Sequence, residues 1–334
     1  MRVYEVRGSF GLDHLVATER PLPEPDRGQV LLRLARVSLN YRDVMMVDGR
    51  YNPKQKLPLV PCSDGVGQIE KVGPGVTRVA VGDRVAPMFA PGWVAGEPTR
   101  ERVRRTLGGP LDGTLAEYLL LDEEAVAKVP DYLSDDEAAT LPCAALTAWN
   151  ALRLGGVKAG DVVLVQGTGG VSLFALQFAR ILGAKVIATS SSADKLERVL
   201  AMGASEGINY TATPEWGAVA KEMTGGVGVD QVIDIGGSTL EQSLRAVRIG
   251  GSVSSIGVLG AGEVKLRLAS IFMQQVRLQG VLVGSRDAFE SMCRALEVHR
   301  LRPVVDRVFP FEEAPAAFRY LASAQHFGKV CIEI

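Results

Sequence analysis

Cysteine and histidine are scarce in this sequence, which has four cysteines and three histidines among 334 residues. The cysteines lie far apart and include no C-x-x-C pair; they are Cys62, Cys143, Cys293 and Cys331. Disulfide scaffolds and structural zinc sites are built on dense cysteines at short, regular spacings, so the sequence predicts neither of them. Such cysteine usage is typical of a protein in a reducing compartment.

Long apolar runs and a surplus of charge of either sign are also missing. No stretch reaches the ~18 consecutive apolar residues that a membrane-spanning helix needs, and the opening MRVYEVRGSF has no apolar signal-peptide core. Lysine and arginine number 37 against 38 aspartates and glutamates, which gives a formal charge of −1 and predicts no nucleic-acid-binding surface. We therefore expect a cytoplasmic protein that binds neither membrane nor nucleic acid.

The first part of the chain has a β pattern. The composition, 47% apolar and 22% charged, is that of a globular protein, and the length indicates about two domains. Up to about residue 125, short apolar runs such as QVLLRLARVSL and DGVGQIEKV are separated by glycine and proline. This pattern predicts an antiparallel sheet that folds over on itself. Residues 88–112 interrupt it and are predicted to form a long polar loop around Trp93.

The second part of the chain has a βα pattern. From about residue 160, five apolar runs alternate with amphipathic segments: VVLVQ, KVIAT, DQVIDI, SVSSI and LQGVLV. This alternation predicts a parallel sheet flanked by helices. The final segment from residue 302 is too short for a third domain, so we expect it to rejoin the first. The apolar run LQGVLV would leave an open sheet edge, and we therefore expect a homodimer that pairs this strand with its copy.

A glycine-rich turn follows the first of these runs. VVLVQ leads directly into Gly167, Thr168, Gly169, Gly170, Val171 and Ser172, and then into an amphipathic helix. Gly167 suits the tight turn, while Gly169 and Gly170 let the backbone approach a pyrophosphate at the helix N-terminus. Ser172 replaces the third glycine of G-x-G-x-x-G, so the motif is incomplete. The strand, turn and helix context favours a dinucleotide site over an ordinary glycine-rich turn.

The end of the second run bears on the choice of cofactor. An NAD-selective site places an acidic residue there against the ribose hydroxyls, but this chain has Ser190, Ser191 and, further on, Lys195. Hydroxyls and an ammonium suit a 2′-phosphate, which favours NADP(H). In the alternative interpretation, Ser191 and Asp194 form a helix capping box and Lys195 is a solvated helix residue.

Four longer segments carry a resemblance to a known family. PCSDGVGQIEKVGPGVTRVAVGDRV, LPCAALTAWNAL and VLVQGTGGVSLFALQFAR resemble the GHE-signature stretch, lead-in helix and cofactor turn of the medium-chain dehydrogenase/reductase superfamily. SLNYRDVMMVDGRY resembles its zinc-free quinone oxidoreductases and enoyl reductases. The resemblance implies an α/β fold with a GroES-like, β-rich catalytic domain at residues 1–127 and 288–334. Residues 128–287 would form a Rossmann domain, a doubly wound parallel sheet.

The resemblance also implies further cofactor contacts. Thr147 falls where relatives touch the nicotinamide, and Tyr210 falls where NADPH-using relatives contact the adenosine phosphate. Residues after the fifth and sixth strands, at the carboxyl ends where such sheets bind ligands, are expected to line the nicotinamide half; they are Gly257, Val258, Gly284 and Ser285. Lys329 lies in a segment resembling one near the cofactor, so it is a candidate phosphate contact, with a solvated lysine as the alternative.

Zinc ligands are missing from the positions where the family has them. Zinc-dependent relatives bind catalytic metal with Cys, His and Cys, at positions that match Asn40, Ser63 and Cys143. Asn and Ser are poor zinc ligands, and one Cys cannot supply the three protein ligands that a catalytic zinc needs. The structural-zinc loop of the family corresponds to residues 88–112, which contain no cysteine. We therefore predict no metal, and we expect Cys143 to be a small buried residue rather than a reactive thiol.

Polar side chains near residue 40 are the candidates for metal-free chemistry. Asn40, Arg42 and Tyr51 can donate hydrogen bonds to an oxygen that gains negative charge, and Asp43 lies among them. The structural alternatives are an Arg42–Asp43 pair, a rim position for Tyr51 and a turn position for Asn40. The expected function is NADPH-dependent reduction of an activated C=C or C=O bond in a small carbonyl or enone-type substrate. The alternatives are an alcohol dehydrogenase or carbonyl reductase, and a non-catalytic NADPH-binding regulator.

Overall fold

The computed structural model describes residues 1–257 and 263–334. They form two compact units: unit 1 comprises residues 1–146 and 283–334, and unit 2 comprises residues 147–282. The sequence analysis placed these boundaries at 127/128 and 287/288. Residues 128–146 stay with unit 1 because ion pairs tie them there, with Arg84 Nε 2.7 Å from Asp135 Oδ1 and Arg36 Nε 2.6 Å from Asp136 Oδ1.

The N-terminal part of unit 1 is mainly β-structure. Its strands are β1 (Arg2–Val6), β2 (Leu15–Glu19), β3 (Gln29–Leu39), β4 (Asp64–Val72), β5 (Arg84–Pro87), β6 (Tyr118–Asp122) and β7 (Val126–Lys128). Its helices are α1 (Tyr41–Val47), α2 (Arg100–Val103) and α3 (Asp135–Ala138), with a π-helical turn at Leu141–Ala145. The predicted polar loop is buried in part, since Trp93 is 6% exposed and its Nε1 donates to Gly96 O.

Unit 2 alternates strands and helices. Its elements are α4 (Leu146–Gly155), β8 (Val162–Gln166), α5 (Gly170–Ile181), β9 (Lys185–Ser190), α6 (Ala193–Ala201), β10 (Glu206–Asn209), α7 (Trp216–Met223), β11 (Val229–Asp234), α8 (Leu240–Ala246), β12 (Val247–Ser255), α9 (Ala269–Phe272) and β13 (Arg277–Gly280). The chain then returns to unit 1 as α10 (Arg286–His299), β14 (Val305–Pro310), α11 (Ala314–Ala322) and β15 (Lys329–Glu333). Among the described residues, no helix combines the length and apolar character needed to cross a membrane.

Strand β3 is the centre of the main sheet of unit 1, whose order is β14-β15-β3-β4-β5-β7, with β6 also paired to β3. Strands β14 and β15 come from the final segment, which therefore rejoins the first part of the chain. Val37 and Leu39 of β3 pack in one core cluster with Val330. Leu32 packs in a second cluster with Ile69. Because β3 contributes to both clusters and has neighbours on each side, its ends are held firmly.

The sheet of unit 2 has the order β10-β9-β8-β11-β12-β13, and every neighbouring pair is parallel. Counted within the unit, this is the 3-2-1-4-5-6 order of the Rossmann fold, whose ligands bind where the order reverses. That point lies between β8 and β11, and the glycine turn follows β8. The α/β fold class is therefore confirmed. Strand β10 was not among the five predicted runs because its four residues, EGIN, include a single apolar side chain.

Among residues 1–257 and 263–334, strand β13 is an edge strand of this sheet. It pairs with β12 on one side, and all four of its residues are exposed. Large apolar side chains close to it in the sequence are exposed as well: Leu268, Phe272, Met273, Leu278 and Leu282. An open edge with exposed apolar side chains favours pairing with another strand.

We propose that β13 pairs with β13 of a second copy to form a homodimer. Light scattering at micromolar concentration should give twice the chain mass, and Leu278→Glu should give monomers because charge at the paired edges is repulsive. Val298→Glu, at a 77% exposed position on α10, is the matched control and should stay dimeric. A monomeric parent, or a dimer that survives Leu278→Glu, would contradict this assembly.

Candidate functional site

Three neighbouring strand ends bring polar side chains together in unit 1. In the register of β3 with β4, Ser38 lies opposite Asp64. In the register of β3 with β15, Leu39 lies opposite Val330, so Asn40 follows next to Lys329. The central position of β3 therefore places Asp64 on one side of its end and Lys329 on the other.

Lys329 is buried, with 3% of its surface exposed. Its Nζ donates to Leu39 O at 2.6 Å and to Asn40 Oδ1 at 2.5 Å. The solvated interpretation of Lys329 is wrong, because it begins a strand that lies between β14 and β3. An ammonium has donors and no acceptor, so the Asn40 atom that faces it must be the amide oxygen. The orientation of the Asn40 side chain is thereby fixed, with its Nδ2 on the far side.

Asp64 is fully buried beside these groups. Its Oδ1 accepts from Ser63 Oγ at 2.8 Å and its Oδ2 accepts from the backbone N–H of Cys143 at 3.1 Å. Burial raises the pKa of Asp64, while the nearby Lys329 ammonium and the Asn40 amide oppose that rise. Asn40 Nδ2 is buried and acts on the Asp64 carboxylate, although no hydrogen bond of ordinary geometry joins it to a described residue. Because Nδ2 has two N–H groups, at least one of them is left for another acceptor.

Asp43 lies in the first turn of α1 and is fully buried. Its Oδ2 accepts from the backbone N–H of Asn40 at 2.7 Å, so it closes the helix N-terminus. Burial raises the pKa of Asp43 to about 6, against the attraction of the nearby Arg42 cation. The two partners of the expected pair are 3.9 Å apart at Arg42 Nη1 and Asp43 Oδ1, which is an ion pair without a hydrogen bond.

Arg42 and Tyr51 stack on each other. The guanidinium carbon of Arg42 lies 5.1 Å from the ring centre of Tyr51 and 4.7 Å from that of Phe89. Arg42 Nη1 also donates to Leu107 O at 2.9 Å, so this cation holds the 106–109 segment. Tyr51 is 42% exposed and can meet a ligand from solvent. Of the four predicted catalytic residues, Tyr51 is the most accessible, while Arg42 and Asp43 also make contacts that hold the local fold.

The side chains at the three positions expected to match the zinc ligands of relatives are engaged in other contacts. Asn40 Oδ1 faces the Lys329 ammonium, and Ser63 Oγ donates to Asp64. Burial and the charge of Asp64 raise the pKa of the Cys143 thiol. In the described parts of the chain, no three His, Cys, Asp or Glu side chains are grouped as a metal requires. These donors do not fit a catalytic zinc.

The glycine turn of unit 2 leaves space for a pyrophosphate beside its backbone. Gly167 has φ +74°, which favours glycine, and Gly169 is the N-cap of α5 at φ −79°. A Cβ added to Gly169 would meet no atom within 4 Å, so space remains beside the free N–H groups of the helix. Ser172 replaces the third glycine because its Oγ donates to Gln166 O at 2.6 Å and fastens the helix to β8. These residues fit a dinucleotide, with Thr168 buried and Gly170 and Val171 opening the helix.

The carboxyl end of β9 brings Ser190, Ser191 and Tyr210 close together. Ser190 is buried, its Oγ accepts from the N–H of Ser192, and its carbonyl oxygen accepts from the N–H of Tyr210 at 3.1 Å. The capping-box interpretation of Ser191 is wrong, because the N-cap of α6 is Ser192, whose Oγ accepts from the N–H of Lys195. Ser191 is exposed. Ser191 and Tyr210 therefore remain the accessible polar groups at this end.

The remaining predicted cofactor residues are divided between the two units. Thr147 is buried at the start of unit 2, and Gly257 follows β12 in that unit. Gly284 and Ser285 belong to unit 1, where Ser285 Oγ caps α10 by accepting from the N–H of Ala288. Val258 lies outside the described residues. A cavity of about 460 Å³ elsewhere in unit 1 has none of the predicted site residues in its lining.

Asp64 is the site residue that sequence reasoning missed. Ser63 and Cys143, which hydrogen-bond to it, occupy expected zinc-ligand positions, and Asp64 follows Ser63 directly in the segment that resembles the GHE-signature stretch. A signal was present, since an acidic residue opens the otherwise apolar run DGVGQI. A carboxylate at the start of a buried strand needs compensating partners, and this one has four: Lys329, Asn40, Ser63 and the backbone of Cys143.

We predict that Gly169→Ala removes dinucleotide binding without unfolding the protein. The new Cβ meets open space and a permitted φ, so the free energy of unfolding should change by no more than ~0.5 kcal/mol. It would, however, occupy the space through which the backbone approaches a pyrophosphate. Gly280→Ala, also without close neighbours, is the control and should bind as the parent does. Unchanged NADPH and NADH binding in Gly169→Ala, by fluorescence titration, would exclude this turn as the site.

Comparison with known families covers both units. An alcohol dehydrogenase GroES-like domain matches residues 26–131, and a zinc-binding dehydrogenase domain matches residues 170–297. The first lies in unit 1 and the second begins at the start of α5. The second match covers unit 2 from that point and continues into α10 of unit 1.

Whole-chain relatives agree with these domains. The chain is 43% identical over 333 residues to a zinc-type alcohol dehydrogenase-like protein of Schizosaccharomyces pombe, covering 97% of this chain and 96% of the relative. It is 29% identical to the acryloyl-coenzyme A reductase of Sulfurisphaera tokodaii, covering 94% and 95%. A solved NAD-dependent alcohol dehydrogenase matches with a TM-score of 0.92 at 38% identity, covering 100% of both chains. The chain therefore belongs to the medium-chain dehydrogenase/reductase superfamily, whose oxidoreductases have a Rossmann-type unit for a nicotinamide cofactor.

Proposed function

We propose that this protein is a zinc-free, NADPH-dependent reductase that delivers hydride to an activated C=C or C=O bond in a small carbonyl or enone-type substrate. The observation that carries the proposal is which residues occupy the positions of the family's zinc ligands and what those residues contact. Asn40 and Ser63 are engaged by Lys329 and Asp64, in a cluster of hydrogen-bonding groups rather than of metal donors. The open glycine turn supplies the second requirement, a dinucleotide site.

The chain's own residues must hold the substrate and stabilise charge on its oxygen. When bound, the nicotinamide supplies the hydride. Preorganised donors aimed at the oxygen that gains charge stabilise the transition state without a metal. Tyr51 Oη is the accessible donor, and the stacked Arg42 fixes the ring that carries it. Asn40 Nδ2 is the second donor, since its amide oxygen is already bound to Lys329.

Reduction of a conjugated C=C bond is the form of the reaction that this donor set favours. A simple ketone is best polarised by a Lewis acid. In an enone or enoyl substrate, hydride adds to the β carbon and the electron pair spreads onto an enolate oxygen, which hydrogen bonds can hold. The similarity to an acryloyl-coenzyme A reductase supports this form. The alcohol dehydrogenase relatives support reduction of a simple carbonyl, which is the alternative.

We expect the parent protein to oxidise NADPH with at least one member of a panel of enones, quinones, enoyl thioesters, aldehydes and ketones. Tyr51→Phe and Asn40→Ala should each lower kcat by roughly 10- to 1000-fold if they donate to the developing oxyanion, with NADPH binding little changed. Chelators should leave the rate unchanged. Tyr118→Phe, on β6 of the same unit, is the control and should keep the parent rate.

The outcomes separate the alternatives. NADPH binding without turnover of any panel member would favour the non-catalytic regulator. Turnover of aldehydes and ketones alone would favour the alcohol dehydrogenase. One tightly bound zinc per chain by elemental analysis, or full activity in both variants, would contradict the metal-free site around residues 40–51.

The preference for NADPH is supported by the carboxyl end of β9. None of the last residues of β9 and the turn after it, residues 189–192, is acidic, and Asp194 lies in the first turn of α6. Ser191 is exposed, and Tyr210 joins it from the end of β10. A carboxylate at this position would accept hydrogen bonds from ribose hydroxyls and repel a 2′-phosphate, whereas hydroxyls accommodate the phosphate. The likeness to an NAD-dependent alcohol dehydrogenase supports NADH as the alternative.

We predict that NADPH binds more tightly than NADH and that Ser191→Asp reverses this order. A carboxylate beside a 2′-phosphate should weaken NADPH binding by roughly tenfold or more, equivalent to ~1.4 kcal/mol or more. Ser205→Asp, an identical change at an exposed position before β10, is the matched control and should leave the order unchanged. Equal or tighter binding of NADH by the parent in a fluorescence titration would show that the segment does not select the phosphate.

A further inference from the structure

The buried ammonium of Lys329 has unusual partners. Removing an ammonium from water costs several kcal/mol unless charge and hydrogen bonds compensate for it. Two buried carboxylates, Asp43 and Asp64, compensate through space, since Lys329 lowers the pKa of both. Yet Nζ binds neither of them in a hydrogen bond; it is directed at Leu39 O and Asn40 Oδ1. Its direct contact with a side chain is thus with the amide of a candidate catalytic residue.

This contact has two effects on Asn40. It fixes the side chain so that Nδ2, not Oδ1, faces away from the lysine. It also polarises the amide, because a cation that donates to the oxygen draws electron density from the nitrogen and strengthens its N–H groups as donors. A fixed, strengthened donor is what a developing oxyanion requires.

Lys329 also supplies positive charge near the three residues that match the zinc ligands of relatives, which are Asn40, Ser63 and Cys143. It contacts Asn40, and its charge acts on Asp64, which hydrogen-bonds to both Ser63 and the backbone of Cys143. Its charge also acts on the Cys143 thiol itself. A cation is therefore already built into the protein at a cluster whose donors do not fit zinc.

We propose that Lys329 is a positioning residue of the reaction, which holds Asn40 and provides the local positive charge that a metal would otherwise provide. This inference rests on the proposed function in assuming that Asn40 donates to the substrate oxygen. It differs from the expectation that Lys329 contacts a cofactor phosphate. A positioning role predicts a loss of kcat when Lys329 is replaced, whereas a phosphate contact predicts a loss of NADPH affinity.

The test compares kinetics and cofactor binding in the full-length protein. Lys329→Met should lower kcat by roughly 10- to 100-fold with the substrate KM and the dissociation constant of NADPH little changed. The double variant with Asn40→Ala should lose no more than the more impaired single variant, because Lys329 acts through Asn40. Lys71→Met, which removes an exposed lysine paired with Glu24, is the matched control and should behave as the parent.

Other outcomes would overturn the inference. These are a full kcat in Lys329→Met, a loss confined to NADPH affinity, and losses that add in the double variant. If Lys329→Met does not fold, Lys329→Gln, which keeps a donor toward Leu39 O but no charge, decides the same comparison.

A readout independent of turnover separates this inference from the proposed function. By NMR, the side-chain amide protons of Asn40, assigned by their loss in Asn40→Ala, should exchange slowly in the parent and rapidly in Lys329→Met. A parent that reduces no panel member defeats the proposed function, whereas unchanged Asn40 exchange in Lys329→Met defeats the role of Lys329.

Discussion

The pairing of β3 with a strand on each side is the constraint on which the rest of unit 1 depends. Strand β4 follows β3 closely in the chain, whereas β15 arrives 290 residues later at the Lys329–Leu39 contact. Because both pairings are antiparallel and in fixed register, they determine which side chains meet at the end of β3. Two carboxylates and an ammonium are buried there together. Burial of any one of these charges alone would cost free energy. The sheet register brings the opposite charges together, and their attraction in turn stabilises that register.

Unit 2 applies the same rule to parallel strands. The residues expected to bind the cofactor again lie at strand ends, in the turn after β8 and at the carboxyl end of β9. The strand order sets the distance between these two places. Ser172 shows how a motif can lose a glycine and keep its geometry: a hydroxyl bonded to the preceding strand replaces close packing as the means of fastening the helix. The backbone that would approach a ligand is left unchanged.

Local features could be predicted from the sequence, and long-range contacts could not. The run QVLLRLARVSL coincides with β3, and the glycine turn lies between β8 and α5 as expected, since both signals are contained in neighbouring residues. The alternative interpretation of this segment, a helix cap at Ser191, is off by one residue, because adjacent serines cannot be told apart as caps without the backbone angles. The burial of Lys329 was missed because it depends on a register between distant segments, which no local pattern encodes.

The late arrival of β15 has a consequence for biosynthesis. Unit 2 is an insertion between two parts of unit 1, so the ribosome completes it before the last strand of unit 1 appears. Until residues 329–333 emerge, β3 exposes an unpaired edge next to β4, and Asp64 is without its countercharge. A nascent chain at that stage already has the glycine turn, but the edge of β3 has unpaired backbone groups that can bind strands of other chains. A chain that stops before residue 329 would therefore keep the glycine turn and expose the unpaired edge of β3, and we expect it to aggregate.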